Sequence, residues 1–348
     1  MNEFRQDAIT GRWAIVAESR AARPSEYARP PAPESSQNCP FCAGNESSTP
    51  PEVAVYRTKG SKADGPGWSV RTIPNKFPTL SPVPSHEPGS PASVEPRRPG
   101  YGFHEVIIES PSHSAGLSSL PAGQVREFFW MLRERIRDIS SRPGIRAVVA
   151  FENSGPESGG TLFHPHAQIV ALPEVPPLLA DESKGASRFA RTHGGVCAFE
   201  AELAREREVG QRIVWDTPEM VVYAPFASAH PYEVRFVPTR HAPSLAAATE
   251  LEIDRLVEGV PRALRALEGL VPGASYNFVS RSFASGAGEE STYHWHFDLL
   301  PRLIRPDGFE IGSGIPVNPV PPESAAGELR WSSEAKGHEP GGESSHPV

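Results

Sequence analysis

Residues 151–172 read FENSGPESGGTLFHPHAQIVAL: an apolar approach, a Gly/Ser-rich loop, then an apolar run opened by two histidines one residue apart. Side chains alternate faces along an extended strand, so His164, His166 and Gln168 are expected on one face. Pro165 has no N–H to give a ladder, which suits the start or edge of a strand. The loop before it can turn several backbone N–H groups toward an anion. The plain alternative is a surface strand carrying two solvated histidines.

Working outward, the same order recurs. YNFV (276–279), a Gly/Ser loop and HWHFDLL (294–300) repeat the pattern, with His294 and His296 as the second pair. Upstream, GFHEVIIESPSHS (102–114) matches HPYEVRFVPTRHA (230–242), with Glu105 and Glu233, Val106 and Val234, and His113 and His241 each 128 residues apart. Between them lie two segments with apolar residues at spacings of 3 and 4, which predict helices. The first covers 121–139, with Val125, Phe128, Phe129, Leu132, Ile136 and Ile139 as its stripe. The second covers 246–267, with Leu251, Ile253, Leu256, Val257, Val260, Leu264 and Leu267 inward and Pro261 a kink. This is an internal repeat of strand, helix, strand, loop and His-x-His strand. It predicts an α+β fold of two related halves: residues 1–180, carrying an extra prefix, and 181–330, with 331–348 as a disordered tail.

Composition bounds the function. The chain has 348 residues, with 39 Pro, 30 Gly and 3 Cys, too few cysteines for a disulfide scaffold. Proline concentrates in 24–38 and 81–100, which read as loops, and the tail from Ser332 is Gly, Ser, Pro and charge. A net charge of -8 argues against nucleic-acid binding. The basic residues are 29 Arg and 5 Lys, read first as the drift of a GC-rich genome. No apolar run approaches 18 residues and MNEFRQDAITGRW has no leader pattern, so a soluble cytoplasmic protein is expected.

Cys39-Pro40-Phe41-Cys42 spaces two thiolates for one tetrahedral zinc. A redox pair or two free thiols are the alternatives, although the Pro-rich flanks do not resemble a thioredoxin motif. With no second C-x-x-C, a zinc site needs histidines, and His113 and His164 are candidates. Cys197 reads as a small packing residue without a partner. His104 reads as a satisfied or exposed histidine, His230 as a strand opener, and His86, His193, His338 and His346 as solvated.

Six pieces in order, DAITGRWAIVAESRAARP (7–24), CPFCAGNE (39–46), RTIPNKFP (71–78), VIIESPSHS (106–114), FENSGPESGGTLFHPHAQ (151–168) and HWHFDLLPRL (294–303), resemble galactose-1-phosphate uridylyltransferases, the transferase branch of the histidine-triad superfamily. The resemblance implies that Cys39, Cys42, His113 and His164 hold a structural zinc. It implies that His166 is the nucleophile of a ping-pong reaction through a nucleotidyl-histidine. Gln168 would bond the phosphoryl group, and Asn153, Gly159 and Thr161 would form the phosphate loop. Arg20 and Arg23 would sit near the nucleotide phosphates, and Asn75 in the nucleotide site. Pairing into a homodimer acting on a nucleotide sugar and a sugar phosphate is implied as well.

Two departures bear on substrate. The residue after Asn75 is Lys76, where the best-known uridylyltransferases have Asp in the uracil pocket. GFEIGSGIPVNPVPPE (308–323) lacks the Lys and Tyr with which they grip the sugar phosphate. The leading expectation is transfer of UMP between UDP-glucose and galactose 1-phosphate, with ADP-glucose phosphorolysis as the same-class alternative. A nucleotidyl hydrolase of the superfamily is a second reading, disfavoured because Gln168 stands where hydrolases carry a further histidine. A non-catalytic zinc-stabilised nucleotide-binding protein is the third. In the second half, the family's iron-type site would use His294 and His296 with a Glu, for which Glu182 is the candidate, and another His for which no match is evident.

Overall fold

The computed structural model describes residues 2–17, 39–83, 100–283 and 292–330. Arg20, Arg23, the stretch 24–38, most of 81–100 and the tail from Ser332 lie outside the described residues. The first half supplies β3 (Ala54–Arg57), β4 (Trp68–Pro74), β5 (Phe103–Ile108), α1 (Ala122–Ser140), β6 (Ala147–Ser154) and β7 (His166–Leu172). The second supplies β8 (Ile213–Asp216), β9 (Met220–Tyr223), β10 (Val234–Pro238), α4 (Glu250–Leu270), β11 (Tyr276–Phe283) and β12 (His296–Pro301). Two further helices, α2 (Pro177–Thr192) and α3 (Ala198–Val209), join the halves.

These strands form one ten-stranded sheet in the order β3-β4-β5-β7-β6-β11-β12-β10-β9-β8. Read from either edge, the order matches the repeat: β5, β7 and β6 mirror β10, β12 and β11. The halves meet at the antiparallel β6–β11 pair, where Asn153 lies opposite Asn277. The predicted architecture, α+β with antiparallel sheet and crossing helices, is the one observed.

Both long helices pack on one face of this sheet. Val125, Phe128, Phe129, Leu132, Ile136 and Ile139 of α1 are all buried, together with Ile253, Leu256, Val260, Leu264 and Leu267 of α4. The two helices are tied by Arg126, which pairs with Glu250 and Asp254. α4 begins at Glu250, later than the predicted start at 246. Thr249 and Glu252 form a capping box that starts the helix at Glu250, and a short 3-10 turn, Leu245–Ala247, precedes it. Leu251, one step inside the cap, points outward and is 55% exposed, contrary to the predicted stripe. Pro261 is buried within the helix.

The opposite sheet face is covered differently in each half. In the first, Cys39 and Phe41 pack on Trp68, Ile73, Val106 and Ile108. In the second, Phe199 of α3 packs with Leu179, Ala186, Phe283 and Tyr293, while Leu203 meets Val221, Tyr223 and Val237. A small sheet of β1 (Asn2–Gln6), β2 (Trp13–Ala17) and β13 (Val317–Asn318) closes on α2, where Gly185 leaves no room for a side chain against the Ile9 carbonyl. The C-terminal part adds α5 (Gly308–Ser313) and α6 (Pro322–Leu329). Among the described residues no helix is long and apolar enough to cross a membrane.

Candidate functional site

His164 is not on the strand. Because Pro165 cannot join the ladder, β7 starts at His166, and His164 lies in the bend before it. There it meets three residues from distant parts of the chain. The ligand atoms of Cys39, Cys42, His113 and His164 lie within 4.8 Å of one another. His164 Nδ1 is 3.5 Å from Cys39 Sγ and 3.6 Å from Cys42 Sγ, and His113 Nδ1 is 3.4 Å from Cys42 Sγ. The outer nitrogen of His164, Nε2, donates to the Ser110 carbonyl at 2.7 Å, so Nδ1 carries the lone pair that faces the sulfurs. Burial and the neighbouring Cys39 push the Cys42 thiol up to about 11. Two crowded sulfurs, the inward lone pair of His164 and the nearby Nδ1 of His113 fit a soft divalent cation, which would draw both thiols into the thiolate form.

His166 is aimed by the same bend. Its Nδ1–H donates to the His164 carbonyl at 2.8 Å, which leaves Nε2 with the free lone pair. Phe41 covers the ring edge-on, with centroids 5.2 Å apart. Burial lowers the pKa of His166, so the ring is neutral at pH 7. The β6–β7 register sets Glu152 opposite Ala167, so Asn153 follows opposite His166 on the same face. Asn277 donates to Asn153 Oδ1 at 2.7 Å and to the Ser158 carbonyl at 2.9 Å, anchoring the start of the loop. Gly155 turns the loop at φ +81° against the Ser275 hydroxyl, and Gly159 adopts φ +86° with open space beside it. Thr161 is exposed at the end of this loop.

Gln168 shares the His166 face, and sequence reasoning missed what surrounds it. Gln168 Oε1 lies 2.9 Å from His104 Nε2 and 3.4 Å from Asn75 Nδ2. His104 is therefore the satisfied, buried histidine of the two alternatives, with a partner on each ring nitrogen. Its position follows from the β5–β7 register, which places Val106 beside Gln168. Lys76 is exposed, with Nζ 3.4 Å from the Ser48 carbonyl.

The second half keeps the scaffold and changes the groups. His296 Nδ1 is 3.1 Å from the His294 carbonyl, as in the first half. Its Nε2 instead faces Arg281 Nη1 at 3.4 Å and Asp298 at 3.7 Å, fully buried. Glu182 does reach this place, but it pairs with Arg281 and accepts from the Tyr293 hydroxyl at 3.0 Å. A guanidinium thus stands among the residues expected to hold a metal with His296. His294 belongs elsewhere: its ligand atom lies within 4.8 Å of those of His241 and Cys197. Cys197, read from sequence as a lone packing residue, has these two partners. They lie 44 and 97 residues away, so spacing could not reveal them.

The family model for the N-terminal domain of galactose-1-phosphate uridyl transferase matches residues 1–176. The chain is 30% identical to the ADP-glucose phosphorylase of Arabidopsis thaliana over 94% of this chain and 92% of that protein. It is 27% identical to the galactose-1-phosphate uridylyltransferase of Thermotoga maritima over 95% of this chain and 98% of that one. The crystal structure of the Arabidopsis ADP-glucose phosphorylase with bound ADP-glucose superposes with a TM-score of 0.78, at 27% identity, over 96% of this chain and all of the other. The matched model spans half the chain and the relatives span nearly all of it, with the Cys/His cluster and the histidine loop inside the matched half; the chain belongs to the galactose-1-phosphate uridyl transferase family and is an enzyme of that family.

Proposed function

We propose that this enzyme transfers a nucleotidyl group from a nucleoside diphosphate sugar to a phosphate acceptor through a covalent intermediate on His166. The tautomer of His166 carries the reading. With Nδ1–H committed to the His164 carbonyl, Nε2 is a neutral nucleophile held in one direction. Nε2 attacks the α-phosphorus, the bond from that phosphorus to the bridging oxygen breaks, and the sugar 1-phosphate leaves with the electron pair. An acceptor phosphate oxygen then attacks the nucleotidyl-histidine and the imidazole departs.

Around that atom, Asn153, Gly159 and Thr161 form the phosphate-binding loop, and Gln168 donates its amide N–H to the phosphoryl group. Asn75 serves the nucleotide site, with Arg20 and Arg23 near its phosphates. Cys39, Cys42, His113 and His164 would hold zinc. When bound, the ion supplies a fixed cross-link between the 39–42 turn and the bend that aims His166. Cys197, His241 and His294 offer three donors for a second ion. Residues 1–180 form the catalytic half and 181–330 a supporting half, acting as a homodimer.

For the donor, ADP-glucose with orthophosphate as acceptor is the better-supported choice. The matched Arabidopsis protein has that activity in its name, Lys76 replaces the uracil-pocket Asp, and 308–323 lacks the sugar-phosphate Lys and Tyr. UDP-glucose with galactose 1-phosphate is the second reading, favoured by the family match and the Thermotoga relative. The test is to trap an acid-labile nucleotidyl-protein from radiolabelled ADP-glucose or UDP-glucose. Wild type should label and His166→Ala should not. Labelling of His166→Ala would refute the nucleophile, and the better donor identifies the nucleotide. Release of glucose 1-phosphate and ADP from ADP-glucose and orthophosphate checks the acceptor.

A further inference from the structure

The Thr79 backbone N–H points at His104 Nδ1 across 3.0 Å. A main-chain N–H can only donate, so Nδ1 is the acceptor and a neutral ring carries its proton on Nε2. That Nε2–H needs an acceptor, and Gln168 Oε1 lies 2.9 Å away. Had the amide been turned over, its N–H2 would face another donor. Asn75 acts in the same sense. Its Oδ1 accepts from the Phe77 N–H at 2.8 Å, which commits Nδ2 as a donor; Nδ2 lies 3.0 Å from His104 Nε2, itself a donor in this tautomer, and 3.4 Å from the same oxygen, which is the acceptor within reach of both N–H groups. Two donors thus converge on one carbonyl with two lone pairs.

We propose that His104 is a positioning residue: it locks the Gln168 amide with its oxygen toward β5 and its N–H2 toward the His166 side. This deepens the reading in which Gln168 donates to the phosphoryl group, and it rests on that reading for its kinetic consequence. An amide presenting its oxygen to a phosphoryl group would repel it. A freely rotating one would spend part of its time in that orientation and leave the transition state less well solvated. His104 is buried and the imidazole pKa is depressed by that burial, so the ring stays in the neutral form that the chain of bonds requires. The charged groups packed near it, Glu105 and Arg135, are paired with each other at 2.7 Å.

Two measurements on the full-length metal-loaded protein test this. Histidine 15N NMR reads the tautomer without any turnover. The expected result is an Nε2–H ring for His104 whose proton shifts upfield in Gln168→Ala; an Nδ1–H ring, or a proton unmoved by that substitution, overturns the proposal. Single-turnover formation of the nucleotidyl adduct reads the consequence. His104→Phe, which keeps volume and removes both bonds, should slow adduct formation about tenfold to hundredfold with little change in the half-saturating donor concentration. In a Gln168→Ala background the same substitution should change the rate less than twofold. Equal losses in both backgrounds mark a merely structural role and overturn it. If wild type forms no adduct with either donor, the nucleotidyl-transfer reading fails, while the NMR result still decides the hydrogen-bond relay.

Discussion

Replacing Arg281 by Met isolates one buried charge. Arg281 is the paired charge of Glu182, and its removal leaves that carboxylate with the Tyr293 hydroxyl as its hydrogen-bond partner among the described residues and Arg235 as a more distant positive charge. Asp298 is better protected, because Arg235 remains 2.7 Å away. Glu182 is 5% exposed, so water cannot take the place of the guanidinium. Breaking a buried pair in this way costs about 3–5 kcal/mol. Protonation of Glu182 sets a ceiling on that loss. Against an unfolded pKa of about 4.3, holding a proton at pH 7 costs about 3.7 kcal/mol, and at pH 5 only about 1 kcal/mol. Burial already raises the pKa of Glu182 in the native protein, and Arg281 opposes that rise. The variant therefore binds more protons folded than unfolded above the unfolded pKa, and its stability must fall as pH rises. Urea unfolding of Arg281→Met should show a deficit several times larger at pH 7 than at pH 5, with an unchanged m-value. Adding Glu182→Gln should remove most of the pH dependence. A deficit below about 0.5 kcal/mol, or one that does not grow with pH, would refute the placement of this guanidinium as counter-ion to Glu182.

Metal analysis should find the Cys39/Cys42/His113/His164 ion lost in Cys39→Ser, while Cys197→Ser removes a second equivalent and leaves the first; one equivalent unchanged by Cys197→Ser refutes the second site. Because burial lowers the pKa of His166, adduct formation should change little from pH 7 upward and decline only at more acid pH, and a rate still rising between pH 7 and 8 would contradict a neutral imidazole. Gly155→Ala places a Cβ 2.3 Å from the Ser275 hydroxyl at φ +81°; backbone strain of about 1–2 kcal/mol plus the clash should displace the loop and raise the half-saturating donor concentration about tenfold, with the fold intact by circular dichroism.

Much of the fold was legible because a duplicated chain states its plan twice. The His-x-His strands, the helix stripes and the 128-residue offset mark β5, α1, β6 and β7 and their counterparts in the sequence itself. The start of α4 is also written in the sequence, since Thr249 and Glu252 have the spacing of a capping box, which marks Glu250 rather than residue 246 as the first helical residue. Strands β3, β8 and β9 are four-residue pieces at or next to the sheet edges, β4 is seven residues with a nearly continuous buried run, and none of them alternates regularly, while β13 is a two-residue strand paired with β2. The zinc-type cluster could be anticipated because C-x-x-C is local. The relay from Thr79 through His104 to Gln168 could not, because it depends on the register between strands 64 residues apart and on a main-chain N–H that has no sequence signature.

The two halves share a scaffold and differ in the chemistry around its central histidine. Each holds a histidine whose Nδ1 is bound to the carbonyl two residues before it, at 2.8 Å in one half and 3.1 Å in the other. What differs is the chemistry facing Nε2. Two residues on, the first half has the amide of Gln168 and the second the carboxylate of Asp298, held low by Arg235 and the neighbouring charges. An amide can donate to a phosphoryl oxygen, whereas a carboxylate repels one. Across the strand, the register that sets Asn153 opposite His166 sets Arg281 opposite His296. That guanidinium pairs with Asp298 and Glu182. Phe199 of α3 closes over both histidines of the second half, with centroids 5.7 and 5.5 Å away. Substituting Asp298 by Gln would restore one donor yet leave Nε2 fully buried behind Arg281 and α3, so no adduct should form on His296. Closed access and inverted charge thus set the surroundings of His296 apart from those of His166, although both rings keep the same Nδ1 contact.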